Sequence, residues 1–343
     1  MMPNNSRKSC SVLPAGHVQA IHFQPVSQLI RKLGGNPESV FRVLNLSEAL
    51  LQDSAAVLPL SLAGELLAHS ARETGCEHFG LLLGSVGGLN QLGLIANLMA
   101  KQPTIGDALA TLVKFHHITN RTGLALIRQH KEDAYLEFCS MESNFSGFRH
   151  FHEGVMAIAL NIMRSLSHAE WTPTAVYFSH RPPKNPQTYA RFFGAPCYFN
   201  TAHAELQFPA ALLQAPNATL GASSVTSVEM NTLNMSALDW LERARRAAYS
   251  LVALGDCNQP RFASALGISV RTMNRRLEQC GVSYFDILDN ARYVVSCKLI
   301  RETDMPLKDI AAALSYTDAS SFTRAFRRWS GVTPEQWRKA RCL

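Results

Sequence analysis

No run of apolar residues in this 343-residue chain approaches the roughly 18 to 20 that a membrane-spanning helix needs. The polar opening, residues 1–14, is not followed by the apolar stretch of a secretory signal peptide. A cytosolic chain without a membrane partner is therefore expected. Catalytic signatures are lacking too. There is no G-x-S-x-G elbow, no phosphate-cradling G-K-S/T loop and no H-E-x-x-H, and the glycines at 84–88 and 93 lack G-x-G-x-x-G spacing. These absences predict a protein that is not an enzyme and needs no cofactor. Eight cysteines, Cys10, Cys76, Cys139, Cys197, Cys257, Cys280, Cys297 and Cys342, are scattered with no C-x-x-C pair. A chain this long can build a core without staples, so they are expected to be inert thiols.

Charge is scarce but unevenly placed. Only 17% of residues are charged, against 47% hydrophobic, a globular composition. Residues 239–343 hold 17 Lys and Arg against 11 Asp and Glu, whereas residues 1–238 hold 16 against 15. Nearly all of the net +7 thus lies in the last third, as for a polyanion-binding tail on a near-neutral partner domain.

Apolar spacing predicts an α+β front part and an all-α tail. Val26, Leu29, Ile30 and Leu33 form a helical stripe stopped at Gly34-Gly35-Asn36-Pro37. Helices are expected over 61–73, from Pro103-Thr104 to Ile118, over 154–166 and over 189–193. His78–Gly84 reads as a lead-in to a glycine-rich turn. Strands are expected at 124–128 and 134–139, joined as a hairpin through the polar turn 129–133, and at 175–179 and 204–208. No βαβ repeat is evident, so a doubly wound nucleotide fold is not supported. The reading places a regulatory domain at 15–213, an Ala/Ser/Thr/Asn-rich linker at 214–236 and a helical domain at 237–343.

Two stretches of the tail share one logic. Ala263–Leu266 ends a helix, Gly267-Ile268-Ser269 turns, and Val270–Cys280 forms a second helix with Ser269 as N-cap. Leu266, Ile268, Met273 and Leu277 fill the inner side. Ser269, Arg271, Thr272, Asn274, Arg275 and Arg276 are left outward, residue types that bond base edges and phosphates. The second stretch repeats the pattern: Ile310–Leu314 ends a helix, Ser315-Tyr316-Thr317 turns, and Ala319–Trp329 follows with Phe322, Phe326 and Trp329 inward. Ser320, Ser321, Thr323, Arg324, Arg327 and Arg328 face outward. Between them a helix over 285–301 would fix their separation. Two helix-turn-helix units held about 34–36 Å apart can occupy successive major grooves on one face of DNA. One chain doing so alone would read an asymmetric site.

The run from Leu314 through Arg324-Ala325-Phe326-Arg327-Arg328-Trp329 to Pro334, with the upstream Ala263-x-x-Leu266-Gly267-Ile268-Ser269-x-Arg271 segment, resembles the AraC/XylS family of bacterial transcription regulators. The resemblance covers about residues 240–340. It implies duplex promoter DNA and RNA polymerase as partners, and a place in the bacterial cytoplasm at the nucleoid. Ser315 stands where the family usually has glycine, which should strain that turn. Pro260 should make the leading helix begin late or bend. His78–Gly84, Leu92-Gly93-Leu94, Pro103–Leu109 and Arg191–Pro196 with Asn200 resemble the arabinose-binding-like regulatory domain carried by one branch of these proteins. That likeness implies a small-molecule effector of unspecified chemistry and leaves a homodimer open.

His117, Arg149 and His152 are the candidate effector contacts. Metal binding is not expected, because adjacent histidines such as His116 and His117 point about 100° apart on a helix. The preferred reading is an effector-responsive activator. A repressor or anti-silencer of the same kind fits the same residues, since promoter position sets the sign. The reading of another class is a small-molecule-binding protein whose basic tail contacts proteins.

Overall fold

The computed structural model describes residues 16–53, 56–116, 120, 122–140, 145–202, 204–220, 240–253, 258–266 and 268–340. Most of the expected linker, together with His117, Gly267, Cys10, Cys257 and Cys342, lies outside them. The front part opens with β1 (His17–Gln19), antiparallel to β2 (Val57–Pro59). Between them run α1 (Val26–Lys32) and α2 (Pro37–Val43). Proline starts α2 where its missing N–H costs nothing, and the Asn36 side chain accepts from the Glu38 amide at 2.9 Å. There follow α3 (Leu60–Thr74), α4 (Phe79–Ser85), α5 (Leu94–Met99) and α6 (Ile105–Phe115). The last is capped by Thr104, whose hydroxyl accepts from the Asp107 amide at 3.1 Å.

The expected hairpin is present and longer than its polar turn suggested. β3 (Gly123–His130) and β4 (Asp133–Ser140) pair to their last residues, leaving only Lys131 and Glu132 to turn, with Lys131 at φ +54°. Then come α7 (Phe148–Leu166), β5 (Ala175–Tyr177), α8 (Pro186–Phe193), β6 (Cys197–Tyr198) and β7 (Glu205–Pro209). The sheet order is β3-β4-β7-β5-β6; α8 is the crossover of its one parallel pair, β5–β6.

Two differences from the sequence reading share a cause. The segment read as a lead-in to a turn is helix α4, and α7 starts at Phe148 rather than 154. Glycine lowers helix propensity by about 1 kcal/mol, and Gly80, Gly84 and Gly154 diluted both patterns. Tertiary packing overrides that loss, because the glycines let α4 and α7 touch backbone to backbone. A Cβ on Gly80 would sit 2.1 Å from the His150 carbonyl oxygen, and one on Gly84 2.2 Å from that of Gly154.

The described residues of the tail form helices joined by short turns: α9 (Trp240–Ala253), α10 (Gln259–Ala265), α11 (Val270–Gln279), α12 (Tyr284–Glu302), α13 (Leu307–Ala313), α14 (Ala319–Ser330) and α15 (Pro334–Ala340). Pro260 falls in the first turn of α10, where Asn258 caps the Arg261 amide at 2.9 Å. Ser315 adopts φ +60°, the strained left-handed conformation expected from its replacing a glycine. Phe262, Met273, Leu299, Phe322 and Phe326 form the tail core. Leu124, Leu126 and Cys139 of the front hairpin join this same cluster. The five cysteines among the described residues form no disulfide, and no helix among those residues is long and apolar enough to cross a membrane.

Candidate nucleic-acid interface and the neighbouring cavity

The first recognition helix, α11, begins at Ser269, whose hydroxyl accepts from the Thr272 amide at 3.2 Å and lies 3.0 Å from the Thr272 hydroxyl. Met273 and Leu277 bury completely against the tail core. A helix turns 100° per residue, so Arg271, Asn274, Arg275 and Glu278 share the opposite side, with the three charged residues exposed. Arg276 is exposed but leans 5.9 Å above the Trp240 ring on α9, away from that stripe.

The second, α14, is capped by Asp318, which accepts from the Ser321 amide and hydroxyl at 2.8 Å each. Those bonds pull the Asp318 carboxyl down to about 2. Phe322, Ala325 and Phe326 face the core. Ser320, Arg324 and Arg327 are exposed. Arg324 donates to the Ser321 hydroxyl at 3.1 Å, and the Thr323 hydroxyl donates to the Ala319 carbonyl at 2.8 Å. Arg328 turns back to an ion pair with Asp289 on α12. The sequence reading did not anticipate that pairing, because Asp289 lies 39 residues away.

Helix α12 separates the two units. Its start is fixed by a capping box between Ser283 and Asp286. Tyr293 on α12 packs against Phe326 and Trp329 of α14, while Phe262 of α10 meets Tyr284 at the head of α12. Both units are thus seated on one spacer.

The front domain contains a cavity of about 130 Å³ between α7 and the β3–β4 hairpin. Phe23, Leu67, Leu112, Phe138, Phe151 and Ile158 wall it, and His116 and His150 are also among its lining. Of the three residues singled out for an effector, Arg149 and His152 sit on α7 beside this wall. His152 is buried, stacked on Phe148 at 4.2 Å and edge-on to Phe138. Arg149 donates to Glu153 at 2.7 Å and to the Tyr189 hydroxyl at 2.8 Å, and lies 3.4 Å from Glu77.

That network also contains a carboxylate, Glu153, on the same helix. Glu153 is fully buried. Burial pushes its pKa up, but His150, His180 and Arg149 together hold it below the ordinary value. Burial also drives His180 down to about 4 against the pull of Glu153, so its imidazole is neutral at pH 7. Only the i,i+4 spacing of Arg149 and Glu153 hinted at the pair.

Two capped helices with arginine-rich outer sides, seated on a shared spacer, define a tandem helix-turn-helix DNA-binding protein with an attached α+β domain. Residues 34–217 match the family described as the arabinose-binding domain of AraC transcription regulators, and residues 262–340 match a helix-turn-helix domain family. The chain belongs to the AraC family and is a DNA-binding transcription regulator. Among its relatives are an ornithine utilization regulator of Pseudomonas aeruginosa, 26% identical across 94% of this chain and 96% of that one, and the regulator VirS of Mycobacterium tuberculosis, 23% identical across 94% and 96%. A solved structure of the regulator CdpR from Pseudomonas aeruginosa aligns over 88% of this chain and 96% of its own, at 22% identity and TM-score 0.41.

Proposed function

We propose that this protein is an effector-responsive activator that binds an asymmetric promoter site through α11 and α14 in successive major grooves. Arg271, Asn274 and Arg275 meet base edges in the first groove, with Ser269, Thr272 and Arg276 toward its phosphate walls. Ser320, Ser321, Thr323, Arg324 and Arg327 serve the second groove, mostly as phosphate anchors, and Arg328 orients α14 through Asp289. The front domain receives a small-molecule effector. Arg149 and His152 support its cavity wall, and DNA-bound protein contacts RNA polymerase. The observation that carries this reading is the pair of exposed arginine stripes on two N-capped helices held by one spacer.

The test is affinity for a duplex isolated by selection from a random pool. Arg271→Ala and Arg324→Ala should each cost about 1–3 kcal/mol on that duplex, and wild-type binding should weaken steeply with salt. Wild-type affinity in both variants would overturn the groove assignment. A reporter in a deletion strain decides the sign: loss of promoter output supports activation, and gain overturns it.

A further inference from the structure

Hairpin β3–β4 has two working faces. Residues directly opposite in an antiparallel pair project to the same side, and neighbours along a strand to opposite sides. Leu124 faces Cys139, and Leu126 faces Glu137, which in turn faces Glu205 on β7. Leu124, Leu126 and Cys139 pack into the core of the DNA-binding domain. The other set, Ala125 opposite Phe138 and Ile127 opposite Leu136, looks toward α7, and Ala125, Phe138 and Leu136 wall the cavity. The same eight-residue strands therefore line the cavity on one side and seat the tail on the other.

A hydrogen bond also ties the hairpin to the tail. Arg246 of α9, a buried arginine, donates to the Gly123 carbonyl at 2.9 Å. Gly123 lies so close to the Phe138 ring that a Cβ on it would sit 2.4 Å from that ring's tip. A Phe138 ring displaced toward Gly123 has little room before it shifts that backbone, and with it an acceptor that α9 uses. A second tie lies further along the tail. Arg181 pairs with Asp304 at 2.7 Å, and the Asn200 side chain accepts from the Asp304 amide at 2.9 Å. Asp304 lies between α12 and α13, so the front domain grips both helix-turn-helix units, one through α9 and the other ahead of α13. Arg271, Arg275, Arg324 and Arg327 stay exposed in this docked arrangement, so docking leaves both recognition surfaces open.

The cavity's chemistry limits its occupant. At about 130 Å³ it is close to an engineered apolar cavity of about 150 Å³ that binds benzene. Its walls are aliphatic and aromatic. The polar groups among its lining are the imidazoles of His22, His116 and His150 and the amides of Gln91 and Asn120. Glu137 also borders it, but strand register turns that carboxylate to the tail side with Leu126 and Glu205. A sugar would lose water contacts at several hydroxyls here, and an amino acid would bury two charges.

We propose that the cavity takes a small, neutral, largely apolar molecule, and that Phe138 and Gly123 pass its occupancy to α9 and so to the DNA-binding domain. This rests on the effector-responsive reading above and adds the ligand class and the route. The probes are benzene, phenol, L-arabinose and L-ornithine at millimolar concentration, added to the full-length protein. Thermal unfolding reports binding, hydrogen exchange reports residues 123–126 and α9, and duplex affinity reports the output.

Benzene and phenol should raise the unfolding temperature, alter exchange at both segments, and change duplex affinity about fivefold or more. Arabinose and ornithine should do none of these. Arg246→Met should bind benzene as wild type does but lose its effect on DNA; should that variant unfold, Leu126→Ala gives the same comparison. Stabilisation by the sugar or the amino acid, or by none of the four, overturns the ligand class. Benzene binding that leaves α9 exchange and DNA affinity unchanged overturns the route. Failure of the wild-type protein to bind any duplex either with or without a probe instead overturns the effector-responsive two-groove reading, and the thermal comparison still decides the ligand class.

Discussion

Removing the Arg149 side chain should destabilise the front domain by about 3–5 kcal/mol, the cost of stranding one partner of a buried ion pair. Glu153 is wholly buried and its Oε1 takes Arg149 Nε at 2.7 Å and the Tyr189 hydroxyl at 2.6 Å. In Arg149→Met, that carboxylate loses its closest cation while remaining out of water. It can stay charged at full desolvation cost or take a proton, and either route draws on the stability of α7. The reverse change, Glu153→Gln, should cost less. Arg149 keeps about a quarter of its side chain exposed, retains Glu77 at 3.4 Å, and can still meet the new amide oxygen. The double variant Arg149→Met with Glu153→Met replaces the pair by apolar groups of similar length, and its cost should fall well below the sum of the single changes. Hydrogen exchange of the α7 amides under increasing urea measures all three locally, which avoids assuming that both domains unfold together. A cost below about 1 kcal/mol for Arg149→Met, or strict additivity in the double variant, would refute the argument that this pair is desolvated and mutually dependent.

Three further outcomes follow from the fold. Gly80→Ala should destabilise by about 1–3 kcal/mol in the same assay, because its methyl group meets the His150 carbonyl at the α4–α7 crossing; an unchanged protein would mean the helices separate freely. Folded His180 binds its proton near pH 4 whereas an unfolded histidine does so near 6.5. Stability should therefore be full above pH 6.5 and fall by up to about 1.4 kcal/mol per unit as the pH drops from 6.5 toward 4. Glu153, whose folded pKa is lowered, adds its own loss further down in acid. Thermal unfolding from pH 7 to 5 reads the slope, and a slope unchanged in His180→Gln would contradict the assignment. Ser315→Gly should relieve the φ of +60° and raise stability by about 0.5–1 kcal/mol in thermal unfolding, whereas a loss would show that the serine side chain outweighs the strain.

Much of the tail was legible because its information is local. Phe322, Phe326 and Trp329 recur at helical spacing, Ser269 and Asp318 carry their own capping oxygens, and α12 begins with a capping box within four residues. The front domain was read in outline. The hairpin and helices α1, α3 and α6 show plain periodicity, whereas β1 and β2 are three residues each and give period two no room to show. Helix α4 was hidden by glycines whose role exists only once α7 lies against them. The long-range features were beyond local pattern. Arg246 finds the Gly123 carbonyl 123 residues away, Arg328 finds Asp289 across 39, and the cavity is bounded by segments from residue 18 to residue 162. Nothing in the spacing of Leu124, Leu126 and Cys139 announced that one face of the hairpin belongs to another domain's core.

The central claim is that one chain reads DNA with two recognition helices. The most direct test is a hydroxyl-radical footprint of the full-length protein on its selected duplex. Two protected patches about one helical turn apart, on one face of an asymmetric sequence, are expected, with Arg271→Ala weakening one patch and Arg324→Ala the other. A single patch, or protection that both variants weaken equally throughout, would contradict the two-groove account.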